Sequence, residues 1–111
     1  MNCNIDTTPD FALELKQLAK RYPSIKNDYE AFLKELRENP LMGTKLGKKL
    51  RKVRFAIASK GKGKSGGARV LTLTILVTGD ADVTLLTIYD KDEISNVSDE
   101  YIMELVREAI S

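Results

Sequence analysis

The residues whose types and spacing suggest chemistry are a run of cations in mid-chain and a tyrosine that follows it. Lys45, Lys48, Lys49, Arg51, Lys52, Arg54, Lys60, Lys62, Lys64 and Arg69 lie between Asn39 and Gly79, a stretch with no Asp or Glu. Outside it, eight basic residues face all sixteen acidic ones, so a formal charge of +2 conceals a middle of +10 and flanks of −8. A solvated face normally mixes its signs, whereas segregation on this scale is the footprint of a polyanion-binding surface. The chain has no histidine, and Cys3 is its single cysteine. A Ser-His-Asp triad, an internal disulfide and most zinc sites are thereby excluded. Proton transfer would fall to Lys, Tyr, Asp or Glu. No metal and no cofactor is expected.

Within the basic run, "SKGKGKSGGARV" (residues 59–70) carries three lysines, an arginine and four glycines. Its "GKS" invites comparison with a nucleotide-binding P-loop, G-x-x-x-x-G-K-[ST]. With Gly63 as the last glycine, Ala58 stands where the first should be. That motif also needs a helix directly after its lysine, and "ARVLTLTILV" reads as a strand. The loop is not a P-loop. Instead it sets Lys60, Lys62 and Lys64 at alternate positions on a glycine-rich backbone that phosphates can approach closely.

These side chains need elements to hold them. A short strand is expected over Asn2–Asp6. Thr8-Pro9-Asp10 then starts a helix with a capping hydroxyl, a proline at the first helical position and an acid in the first turn. Phe11, Leu15, Leu18 and Tyr22 form its apolar face, and Pro23 ends it. Ser24 caps a second helix with Ile25, Tyr29, Phe32, Leu33 and Leu36 on one side, closed by Asn39-Pro40. A Gly- and Lys-rich connection runs over Asn39–Leu50, after which the period changes to two. Val53, Phe55 and Ile57 face the core and Arg54 the other way. Arg69–Thr78 alternates threonines with Leu71, Leu73, Ile75 and Val77. Gly79–Asp82 turns into a third strand, Val83–Lys91, with Leu86 and Ile88 inward and Thr87, Tyr89 and Lys91 outward. Ser98-Asp99-Glu100 opens a last helix that buries Ile102, Leu105, Val106 and Ala109.

The fold expected is α+β: two antiparallel N-terminal helices on a twisted antiparallel sheet, with a C-terminal helix, as one domain over residues 1–111. Arg54, the lysine loop, Tyr89 and Lys91 gather on one side of the sheet. Arg69 has the parity of Leu71 and Leu73, so a bulge or edge position is needed to turn it outward. A basic concave face with a tyrosine suits RNA, since cations neutralise the backbone and a ring can stack on a base or act on a proton. No stretch approaches the ~20 apolar residues that span a bilayer. No membrane partner is expected, and the expected compartment is the cytoplasm.

Three segments together resemble the RelE superfamily of bacterial toxins, in particular its HigB-like branch. They are "FALELKQLAKRYPSIKNDYEAFLKELRENPLMG", "KVRFAIASKGKGKSGGARV" and "LLTIYDKDEISNVS". "KGKSGGAR" followed about twenty residues later by "IYDK" is the specific pairing. The resemblance implies an mRNA endonuclease that cuts in the ribosomal 30S A site, arrests translation and is sequestered by a cognate antitoxin. It implies a catalytic group of Arg69, Tyr89, Lys91 and Lys64. Arg54, Lys60, Lys62, Lys48, Lys49 and Lys52 would contact RNA or the ribosome. Many relatives place a histidine or a late tyrosine in the C-terminal segment. Here there is no histidine, and the next tyrosine, Tyr101, falls on a helix.

RNA needs no metal for this reaction. Its 2′-hydroxyl attacks the adjacent phosphorus, leaving a 2′,3′-cyclic phosphate and a 5′-hydroxyl. The protein orients that hydroxyl, stabilises charge on the phosphate and manages two protons. The alternative is a non-catalytic RNA- or ribosome-binding module on the same fold, a decayed toxin.

Overall fold

A computed structural model, describing residues 2–61, 63 and 65–110, consists of three helices and a five-stranded mixed sheet. In chain order the elements are β1 (Cys3–Thr7), α1 (Pro9–Arg21), α2 (Ile25–Glu38), β2 (Thr44–Lys45), β3 (Leu50–Phe55), a 3₁₀ turn (Ala58–Lys60), β4 (Ala68–Val77), β5 (Asp80–Asp90) and α3 (Asp99–Ile110). The sheet order is β1-β5-β4-β3-β2. β1 runs parallel to β5 and the other pairs are antiparallel, which corrects the all-antiparallel expectation. The Asn39–Leu50 connection contains the short edge strand β2. The β4–β5 turn is tighter than expected: Thr78 and Gly79, both at positive φ, suffice, and β5 begins at Asp80.

Thr8 caps α1 as its type suggests, accepting the Phe11 amide at 3.0 Å. Phe11, Leu18, Ile25, Phe32 and Leu36 from α1 and α2 close over Val53, Phe55, Val70, Val83, Leu85 and Ile88. The opposite face is not open. Leu71, Leu73, Leu86 and Tyr89 pack there against Ile102 and Leu105 of α3. As far as Thr74, β4 is therefore covered on both sides, with Thr72 and Thr74 as buried as Leu71 and Leu73. The expected assignment is corrected here: Leu71 and Leu73 belong to the α3 face, not to the face of α1 and α2.

One irregularity decides how β5 presents its end. Leu71 pairs with Thr87 but Thr72 pairs with Leu85, so Leu86 is an extra residue in β5. Such a bulge lets two neighbours share a side. Leu86 thus joins the α3 face instead of the inward one expected for it. Thr8 pins the bulge, donating its amide to Leu85 O at 3.1 Å and its hydroxyl to Leu86 O at 2.8 Å.

Candidate nucleic-acid interface

Register brings the expected cations abreast. Arg54 pairs with Arg69 and Arg69 with Tyr89, one row across β3, β4 and β5. Arg69 needs no bulge of its own to lie there, because the Leu71 face is also the Arg54 face. Lys52, two residues before Arg54, lies on the same side and lines a cavity of about 620 Å³ with Leu71, Tyr89 and, from α3, Asp99, Ile102 and Met103. Arg54 is exposed near the sheet edge, where it also borders a small crevice with Asp28 and Glu35 of α2. Lys48 and Lys49 are exposed in the turn between β2 and β3.

The loop after β3 meets this row at one atom. The Ser65 carbonyl oxygen accepts from Arg69 Nη2 at 3.0 Å and from Lys91 Nζ at 3.0 Å, while Arg69 Nη1 donates to Ala68 O at 3.1 Å. Two cationic donors, one on β4 and one just past the end of β5, are therefore aimed at a single oxygen. That geometry suits a phosphate oxygen as well as a carbonyl, and charge-assisted donors are the stronger kind. Lys62 and Lys64 lie outside the described residues.

Two expected site residues do not behave as exposed ligands. Lys60 is turned to the other face of the sheet. Its ammonium donates to Asp90 Oδ1 at 2.6 Å and meets Asp92 Oδ2 at 2.9 Å, and its side chain is 8% exposed. Asp90 pairs with Ala68, one position beyond the Arg69–Tyr89 pair, so alternation sends its side chain toward α1. There it also accepts the Tyr22 hydroxyl at 2.6 Å and the Asp92 amide at 3.0 Å. Arg21, which pairs with Glu93, stands 3.6 Å from the same carboxylate. The expected contact between Lys60 and phosphate is replaced by an internal ion pair. Burial opposes ionisation of Asp90, yet Lys60, Tyr22 and the Asp92 amide hold its carboxyl down at about 2.

A folded-state pKa of about 2 against an ordinary 3.8 means that the stabilisation is complete above pH ~4 and disappears as pH falls to ~2. It amounts to roughly 2 kcal/mol. Acid titration of unfolding should show that loss in the wild type, with a flatter profile over the same window in Asp90→Asn.

Tyr89 is the second correction. It is 5% exposed, and its buried hydroxyl has no hydrogen-bond partner among the described residues. Burial pushes its phenol up, and nearby Arg69 only partly offsets this. A ring under α3 cannot stack on a base in this conformation, nor is its hydroxyl placed to take a proton.

Sequence reasoning missed the residues that hold the loop. Ser24 does not cap α2 with its side chain. Its Oγ donates to Asp28 Oδ2 at 2.6 Å, accepts the Ser59 amide at 2.9 Å and lies 2.8 Å from Ser59 Oγ. Asp28 accepts the Ala58 amide at 3.2 Å. Glu14 of α1 covers β5 beyond the end of β1, accepting the Thr87 hydroxyl at 2.7 Å and the Ile88 amide at 3.3 Å, and burial raises its pKa. The one available signal was Asp90, an acid closing the largely apolar run Val83–Tyr89.

No protein-family profile matches the sequence. Among solved structures, the chain is similar to a double arginine-to-alanine variant of the E. coli toxin RelE in the free state. The TM-score is 0.56 and the identity 14%, over 97% of this chain and 98% of the other. At that identity the likeness is one of fold: the chain has the RelE toxin architecture.

Proposed function

We propose that the protein is a RelE-like toxin of the HigB-like branch: a metal-independent endoribonuclease that cuts mRNA in the ribosomal A site and is held inactive by an antitoxin. The observation that carries this reading is the convergence of Arg69 Nη2 and Lys91 Nζ on one oxygen. An arriving phosphate oxygen takes the place of the Ser65 carbonyl between them. In the reaction the 2′-oxygen bonds to phosphorus, the bond from phosphorus to the 5′-oxygen breaks, one proton leaves the 2′-hydroxyl and one reaches the 5′-oxygen. Arg69 and Lys91 stabilise the charge that builds on the phosphate. Proton handling is assigned to the loop and strand-end lysines, Lys64 and Lys91, and no longer to Tyr89. A chain without histidine depends on positioning, which a ribosome-bound message supplies. Lys48, Lys49, Lys52 and Arg54 extend the basic face toward ribosomal RNA. The antitoxin brings acidic residues to this face or blocks its approach to the ribosome.

The deciding experiment incubates the protein with ribosomes carrying defined A-site codons and maps the message ends. Cleavage in the A site that leaves a 2′,3′-cyclic phosphate, undiminished by chelator, is expected. Intact message at every codon, with ribosome binding retained, would replace this reading with the non-catalytic ribosome-binding module, which the burial of Tyr89 favours. A companion measurement concerns Lys48→Ala with Lys49→Ala. Two lost phosphate contacts should reduce the log–log salt slope of ribosome binding by about 1.4. An unchanged slope would remove that turn from the interface.

A further inference from the structure

Asp90 and Lys91 are adjacent, yet they hold opposite ends of the same loop from opposite sides of the sheet. Asp90 takes the Lys60 ammonium at the loop's start. Lys91 donates its amide to Gly67 O at 3.2 Å and its ammonium to Ser65 O at 3.0 Å at the loop's end. The start is fixed a second time, through Ser24 and Asp28. Ser65 therefore sits where Arg69 and Lys91 converge because the strand end clamps the loop at both ends.

We infer that Asp90 is a positioning residue for the loop, and that Lys60 acts as its internal anchor instead of contacting RNA. The inference rests on the endonuclease reading only for its effect on rate. Asp90 touches no substrate. It acts through Lys60, whose ammonium it and Asp92 neutralise inside the protein, over the face of the Tyr22 ring at 5.8 Å. Lys60 thus differs in role from the other cations of the basic run. A cation already paired and 8% exposed neutralises no phosphate and so displaces no counter-ion from RNA. The approach of the loop to Arg69 and Lys91 is set from the opposite face by a carboxylate that never meets the message.

Three variants test this in the full chain: Asp90→Asn, Lys60→Met and the two combined. In the free protein, Asp90→Asn should speed amide exchange at Lys60, Gly61 and Lys91 well beyond the uniform loss of protection that its lower global stability brings to the β3–β4–β5 core amides. On programmed ribosomes it should slow single-turnover cleavage more than tenfold at saturation while changing affinity less than threefold. The combined variant should be no slower than the slower single, since both act through one contact. Lys60→Met should leave the salt slope of ribosome binding unchanged, whereas Lys91→Ala lowers it by about 0.7. A fall of that size in Lys60→Met would overturn the inference, since Lys60 would then contact phosphate directly. So would a folded Asp90→Asn with wild-type exchange and wild-type cleavage. Should Asp90→Asn fail to fold, Lys60→Met carries the same arms. If the wild type leaves message intact, the endonuclease reading falls, and exchange and salt slope still decide the role of Asp90.

Discussion

Arg69→Lys should bind ribosomes within a few-fold of the wild type and cleave their message about 100-fold more slowly, or worse. The substitution keeps the charge and most of the length of the side chain. What it loses is the planar fork, which here sends Nη1 to Ala68 O and Nη2 to Ser65 O. A lysine carries its three donors on one freely rotating nitrogen and cannot reproduce the two fixed bearings of the fork. The donor aimed at the reacting phosphate would lose its fixed bearing, and a positioned donor of this kind typically contributes about 10²-fold or more. Saturating ribosomes and single-turnover conditions separate that loss from binding. Wild-type cleavage by Arg69→Lys would mean that the convergence on Ser65 O is not the reaction site.

Gly67→Ala should cost about 3 kcal/mol of stability, the upper end of what overpacking a tight site brings about. A Cβ built at Gly67 would lie 2.2 Å from the Phe55 carbonyl oxygen and 3.0 Å from the Ile57 amide. Both neighbours are backbone atoms at the end of β3, so no rotamer change relieves the contact. The junction of β3 with β4 would open where the loop closes, and the Gly67 carbonyl would shift from the Lys91 amide. At roughly 4 °C per kcal/mol for a domain of this size, the thermal midpoint should fall by about 12 °C. Denaturant titration with an unchanged slope would locate the loss in the folded state. Gly61 and Gly63 have nothing within 4 Å of such a Cβ, so their substitution meets only the strain of positive φ. A Gly67→Ala variant as stable as the wild type would mean that the two strands part there without cost.

The helices were legible because their signals are local. Thr8, Pro9 and the spacing from Phe11 to Tyr22 all act within one element, and the structure keeps every one of them. Ser98 likewise stands at the start of α3, accepting the Tyr101 amide at 3.2 Å. What escaped depends on partners far along the chain. Threonine alternating with leucine in β4 reads as one wet face and one dry face, but a β-branched threonine can be buried, and α3 arrives thirty residues later to cover the leucines. The Arg54–Arg69–Tyr89 row was half legible: the parity of Arg54 and Tyr89 was right, but assigning Leu71 to the wrong layer made Arg69 look misplaced. Lys60 was misread for a similar reason. A charge run looks solvated when its counter-ions, Asp90 and Asp92, lie thirty residues away. Nor could the parallel partner of β1 be read from β1 itself, since five residues carry no record of which edge they will join.

The extra residue in β5 makes the strand unequally tolerant of changes in length. With Leu86 excised, Thr72 would still face Leu85, Leu71 would still face Thr87, and Tyr89 would still stand beside Arg69. The price would be one buried leucine from the α3 layer and the carbonyl that receives the Thr8 hydroxyl. Excising Ile88 would instead slide every later residue by one pairing step and turn it over, bringing Asp90 level with Arg69 and sending Tyr89 toward α1. β5 therefore contains a slack link followed by a tight stretch. Relatives of this chain that differ by one residue in the strand should differ at the link, because a gap at Ile88 or Tyr89 would dismantle the basic row.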